Sequence, residues 1–139
     1  MKLYEQYPGI YTRGKLKDSH LDEVKAGGYA VIALTPRPNF LLQTTIPEYH
    51  HFPLPDGKVT EKVLNQLQYA VSEVLRLVTQ GTPVIIHCNA GRNRASLVAA
   101  LTIRELSGLS GDALVAMIRT VRPRALANPY FEAFLRGLE

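Results

Sequence analysis

The sequence predicts an α/β fold: a central, mostly parallel (mixed) sheet of about four to five strands with helices on both faces. Three observations lead there. Short apolar runs alternate with segments of helical period. The runs are apolar throughout rather than alternating, as in strands covered on both faces. Gly, Pro and Asn clusters separate them. At 139 residues the chain is read as one domain, residues 1–139, long enough for one substantial core.

Residues 10–13 (Ile-Tyr-Thr-Arg) read as a short strand, followed by a helix capped by Asp18 or Ser19 and ending at Gly27-Gly28. Residues 29–34 form a buried-strand run that the Pro36 and Pro38 segment breaks. A short strand is expected around 46–52, then a turn-forming loop at Pro53-Leu54-Pro55-Asp56-Gly57. Thr60 caps a long amphipathic helix in which Val63, Leu64, Leu67, Ala70, Val71, Val74, Leu75 and Val78 recur at helical spacing until Gln80-Gly81. Residues 83–86 give a second buried strand. Helices follow to about Leu106, from Ser110 to Val121, and from Asn128 to Leu135.

Hydrophobic residues at 46% and charged residues at 20% exclude a disordered or fibrous chain, and no apolar run is long enough to span a membrane. The single Cys88 forms no intrachain disulfide and builds no thiolate zinc cluster, so a cytoplasmic home is expected. The net charge is +4, with residues 71–139 carrying eight arginines against five carboxylates. These arginines look scattered, without aromatic interleaving. Nucleic acid is therefore an unlikely partner, and a phosphorylated protein or small phosphate ester is the expected one.

The informative segment is Ile86-His87-Cys88-Asn89-Ala90-Gly91-Arg92-Asn93-Arg94, between a buried strand and a helix. Such a loop can curl until its backbone N–H groups converge, with the positive end of the helix dipole beside them, a setting suited to a phosphate dianion. Gly91 relieves the curl, and the Arg94 fork can grip two phosphate oxygens. Asn89, Ala90, Gly91, Arg92, Asn93 and Arg94 are thus the substrate-binding candidates. Cys88 is the nucleophile candidate, since the same donors favour its thiolate. His87 is expected to orient the loop by hydrogen bonding rather than to act as a base.

His87-Cys88-x2-Gly91-x2-Arg94 resembles the signature of the cysteine-dependent protein tyrosine phosphatase superfamily, and the chain is similar to its compact, atypical dual-specificity members. The resemblance implies a tyrosine phosphatase-like fold and hydrolysis of phosphate monoesters through a phosphocysteine, with no metal or cofactor. Phosphotyrosine is the leading substrate and phosphoserine or phosphothreonine a second. Phosphoinositide, an RNA 5′-phosphate and phosphoglucan remain open, as does a weakly active phosphate-binding module. Sulfur transfer is disfavoured by the seven-residue loop, and arsenate reduction by the lack of a resolving cysteine.

Departure of an alcohol or phenol calls for a general acid. Asp56, 32 residues before Cys88, is the first choice, Glu48 the second and Asp18 the third. His50 and His51 precede the loop and are expected to pack or face solvent. Many family members carry Ser or Thr after the signature arginine, where this chain has Ala95, so slower phosphocysteine breakdown is expected. Ser96 is turned about 100° further around the helix and need not reach Cys88. Arg92 and Arg124 are expected as solvated arginines, and Tyr7, Tyr11, Tyr49 and Tyr130 as packing residues.

Overall fold

The computed structural model describes residues 1–138. Five strands, β1 (Tyr4–Tyr7), β2 (Ile10–Arg13), β3 (Ala30–Ala33), β4 (Tyr49–His51) and β5 (Val84–His87), form one mixed sheet in the order β1-β2-β5-β3-β4. Only the β1–β2 hairpin is antiparallel. The parallel strands β2, β5, β3 and β4 end together at one edge, with Arg13 and Ala33 both opposite His87. In an open parallel sheet this C-terminal edge is where ligands bind.

Helices α1 (Leu21–Ala26) and α2 (Phe40–Thr45) cover one face, and α3 (Glu61–Thr79), α4 (Arg94–Ser107), α5 (Gly111–Val121) and α6 (Pro129–Arg136) the other. The period of two along each strand divides the core between them. Ile10, Ala30, Ile32, Val84 and Ile86 pack against the α3–α6 layer, while Val31, Ala33 and Ile85 pack with Leu16, Val24, Leu42 and Ile46. The central strands β3 and β5 are therefore buried at every position and apolar up to His87, as the sequence indicated for 29–34 and 83–86.

Several local expectations change. Strand β1 was not expected: Tyr-Glu-Gln-Tyr is neither apolar nor alternating, and pairing with β2 makes it a strand. Residues 18–20 form a 3-10 turn before α1, and neither Asp18 nor Ser19 supplies its cap; the Lys17 N–H instead donates to His20 Nδ1 at 3.0 Å. Helix α2 falls between the Pro36–Pro38 break and the strand expected from 46, where no element was expected, and is started by Asn39, whose side chain accepts from the Leu42 N–H. The long helix has its Thr60 cap as expected, and Gly108, with φ of 72°, closes α4 in the left-handed conformation that glycine tolerates.

Candidate active site

Residues 88–93 join β5 to α4 as a tight loop at the C-terminal edge of the sheet. Five consecutive carbonyls of this loop are held by donors outside it. Asn89 O accepts from the Lys15 N–H at 3.0 Å, Ala90 O from Arg122 Nη2 at 2.8 Å and Gly91 O from Ser96 Oγ at 3.5 Å. Arg92 O accepts from the Leu126 N–H at 2.7 Å and Asn93 O from the Leu97 N–H at 2.9 Å. In a trans peptide the C=O and the next N–H point in opposite directions, so anchoring the carbonyls outward turns the N–H groups of residues 90–94 toward the centre of the loop. One of them, Gly91 N–H, donates to Cys88 Sγ at 3.1 Å.

Gly91 has φ of 70°, and a Cβ there would overlap the Arg13 carbonyl and lie 2.6 Å from the Gly14 nitrogen. Glycine is thus required twice, by backbone conformation and by the approach of the β2 end. Leu126 answers from the other side. Fully buried at φ of 60°, it adopts a left-handed conformation costing about 1–2 kcal/mol for a residue with a Cβ. That conformation accompanies the bond from its N–H to Arg92 O. Arg119 braces the same segment by donating to the Ala125 and Leu126 carbonyls.

Cys88 is 2% exposed and Arg94 8%. Arg94 Nη1 donates to the Leu54 carbonyl at 3.1 Å, which ties the guanidinium to the loop after β4. Its Nε is buried without a partner among the described residues. A charged N–H buried without an acceptor is costly, and an anion in the loop would satisfy it.

Asp56 is exposed and reaches this assembly through two amides: Asn93 Nδ2 donates to its Oδ2 at 3.0 Å and Asn128 Nδ2 to its Oδ1 at 2.8 Å. Asn128 also donates to Gly57 O, its own N–H donates to Asn93 Oδ1, and its Oδ1 accepts from Tyr130 and Phe131 N–H to cap α6. One side chain therefore joins the acid loop, the signature loop and the last helix. Nothing in the sequence marks this, because Asn before Pro is an ordinary helix start.

The other acid candidates lie elsewhere. Glu48 accepts from His50 at 2.9 Å and from Arg76 at 3.0 Å, and the Arg76 guanidinium, followed by the His50 ring, holds its carboxyl below the usual range. A carboxylate so paired is a poor proton donor. Asp18 accepts from Asn39. His51 is engaged with the Thr35 carbonyl at 2.6 Å, so neither histidine of the pair enters the loop. Tyr49 OH accepts from the Asn39 N–H, Tyr11 stacks edge-on against Tyr29, Tyr7 packs on the core, and Tyr130 is exposed.

His87 is buried, and neither ring nitrogen makes a well-formed hydrogen bond among the described residues. Burial first, then the Arg13 charge, pulls its pKa down to about 3, so the ring is neutral and acts as a packed wedge under the loop. The hydrogen-bonding role expected of it is not what holds the loop; the outward carbonyl anchors do that. Ser96 Oγ faces Gly91 O, as its position on the helix implied, and Ala95 is fully buried.

The fold defined by this sheet and loop is that of the cysteine-dependent protein tyrosine phosphatases, and the chain is similar to their compact dual-specificity members. A tyrosine phosphatase family model matches residues 50–116. Dual specificity protein phosphatase 12 of Mus musculus is 28% identical over 139 residues, spanning 97% of this chain and 40% of its own length. Triple specificity protein phosphatase PtpB of Mycobacterium tuberculosis is 38% identical over 69 residues, covering 50% of this chain and 21% of its own. The chain thus spans less than half the length of these curated relatives. Among solved structures, Tk-PTP in its active form superposes with a TM-score of 0.85 at 24% identity, over 99% of this chain and 95% of that one. PTPMT1 in complex with PI(5)P gives 0.81 at 15%, over 96% and 92%. At these identities the solved structures establish the fold.

No helix among the described residues is long and apolar enough to cross a membrane.

Proposed function

We propose that residues 1–139 form one catalytic domain that hydrolyses phosphate monoesters through a phosphocysteine, acting on phosphotyrosine and also on phosphoserine and phosphothreonine. The observation that carries this reading is the run of five outward-anchored carbonyls, which leaves the loop N–H groups converging around the Cys88 sulfur. The phosphatases among the sequence relatives support it.

In the first step the Cys88 thiolate attacks phosphorus opposite the ester oxygen. An S–P bond forms, the P–O bond breaks, and the leaving oxygen takes a proton from the Asp56 carboxyl. The loop N–H groups and Arg94, through Nε and a second guanidinium nitrogen, stabilise charge on the three equatorial oxygens. In the second step the Asp56 carboxylate takes a proton from water, whose oxygen attacks phosphorus. The S–P bond breaks, and inorganic phosphate and the thiolate are released. Asn93 and Asn128 fix the plane of the Asp56 carboxyl over the loop, while neutral His87 transfers no proton.

The test is phosphate release from para-nitrophenyl phosphate and a phosphotyrosyl peptide by the native chain and by Cys88→Ser. Release is expected to fall to background in the variant while phosphopeptide binding persists. Release undiminished in Cys88→Ser, or native chain that binds phosphopeptide without releasing phosphate, would overturn the reading, the second result identifying a phosphate-binding module.

A further inference from the structure

Between α5 and α6 the chain passes the signature loop as a strap, residues 122–128, that touches it three times. Arg122 Nη2 donates to Ala90 O at 2.8 Å, the Leu126 N–H to Arg92 O at 2.7 Å and the Asn128 N–H to Asn93 Oδ1 at 3.0 Å. The strap bends sharply. The Ala125 N–H closes a turn on Arg122 O at 2.9 Å, and the next residue, Leu126, is left-handed at φ of 60°. A residue with a Cβ keeps that conformation only where its surroundings impose it. Glycine would adopt it freely, yet this chain has a fully buried leucine there.

The groups that hold the bend belong to Arg119, in the last turn of α5. Its guanidinium is engaged on every side: Nε donates to Ala125 O at 3.1 Å, Nη2 to Leu126 O at 3.0 Å and Nη1 to Glu132 Oε2, in the first turn of α6, at 3.0 Å. A planar fork can serve two consecutive carbonyls at fixed geometry, which an ammonium cannot. Arg136 is a natural contrast. It too joins α5 to α6, through Asp112 at 2.8 Å and Glu132 at 3.0 Å, but it makes no hydrogen bond to the strap among the described residues.

We propose that Arg119 is a positioning residue for the reaction: through the Leu126 backbone it keeps the Arg92–Asn93 peptide with its carbonyl outward and its N–H in the phosphate cradle. The proposal rests on the phosphatase reading above. The Leu126 N–H holds Arg92 O away from the loop, and the Asn93 N–H faces inward for that reason. Were this peptide to turn over, a carbonyl would replace an N–H beside the charge on the equatorial oxygens, and a stabilising donor would become a repulsive acceptor. Arg119 makes no hydrogen bond to the signature loop among the described residues, so its effect on rate passes through the strap backbone.

The test measures phosphate release from para-nitrophenyl phosphate and an alkyl phosphate by the native chain, Arg119→Ala, Arg119→Lys and Arg136→Ala, with an unfolding midpoint for each. In Arg119→Ala the Glu132 carboxylate keeps its Arg136 partner, and kcat is expected to fall about 10²-fold on both esters, the size of losing one preorganised donor. Arg119→Lys, which keeps the charge but serves one carbonyl, is expected to lose about tenfold, and Arg136→Ala nothing. Should Arg119→Ala not fold, Arg119→Lys carries the comparison.

Methylguanidinium, supplied far below denaturing concentrations, is expected to raise the rate of Arg119→Ala about tenfold, whereas methylammonium leaves it unchanged. A loss of stability alone would be deepened by a guanidinium salt. Calorimetric titration of tungstate into Cys88→Ser, with and without Arg119→Ala, reads the cradle without turnover, and an affinity about tenfold lower in the double variant is expected. That difference in a native chain without hydrolytic activity would sink the phosphatase reading alone. Native rates in Arg119→Lys or Arg119→Ala, an equal loss in Arg136→Ala, or no response to methylguanidinium overturns the positioning role. So does a loss confined to the alkyl phosphate, which would place the effect in the Asp56 tether.

Discussion

On one flank of the signature loop the Asp56 carboxylate takes its hydrogen bonds from two neutral amides, those of Asn93 and Asn128. On another, the cations of Lys2, Arg92, Arg122 and Arg124 line a trough beside the loop. The contrast follows from what each set of groups must do. A group that must gain and lose a proton is best held by donors that fix its geometry without a full positive charge, which would lock it as the anion. Cations that only draw an anionic substrate toward the loop act best with their charges left uncompensated. Arg94 is joined to the acid loop through Leu54 O.

The largest break in this arrangement is expected from Arg94→Lys. An ammonium cannot keep the bond to Leu54 O and offer a planar fork at once, so kcat should fall about 10²–10³-fold, measured by steady-state phosphate release. Wild-type rates in this variant would remove the guanidinium from the proposed transition state. Next is Asp56→Asn, which keeps the side-chain shape but removes the proton and gives up one of the two tethers, because its amide nitrogen would face an amide donor. A loss of about 10²-fold is expected on an alkyl phosphate, shrinking on a nitrophenyl ester whose leaving group needs no acid. Equal losses on both esters would assign Asp56 a structural role.

Asn128→Ala removes both the carboxyl tether and the α6 cap. Stability should fall by about 1 kcal/mol in denaturant unfolding, and kcat should drop while KM for para-nitrophenyl phosphate holds. Asn128→Ser, which can cap but cannot reach Asp56, should recover the stability and not the rate. The last expected effect concerns pH. His87 stays neutral in the folded chain down to about pH 3, whereas in the unfolded chain it takes up a proton near 6.5. Stability is therefore lost progressively as pH falls from 6.5 toward 3 and not further below it. Unfolding midpoints of His87→Asn across that window should show a shallower acid slope than the native chain, and identical slopes would remove His87 as the cause.

Much of this site could be read from residue spacing. The buried strands at 29–34 and 83–86, the Thr60 and Ser110 caps and the cysteine loop depend on local patterning, because apolar periodicity and capping act within a few residues. Asp56 could be proposed as the acid only together with the cysteine motif, because Pro-Asp-Gly by itself is an ordinary turn. What stayed hidden joins distant residues. Asn128 meets Asp56 across 72 positions, Arg122 meets Ala90 across 32, and Lys2 enters the trough from just ahead of β1, a strand whose sequence carries no strand pattern.

The amino-acid sequence by itself determined which atoms could do chemistry: one thiol, one arginine six residues on, and a glycine between them where no Cβ fits. Tertiary structure decided which carbonyls turn outward, which amides hold the carboxylate, and that arginines spread along the chain gather with Lys2 beside the loop. Side-chain convergence is a property of the sheet's C-terminal edge, formed only when β1, β2 and the 122–126 segment dock around it, and no local pattern encodes a contact whose two halves are dozens of residues apart.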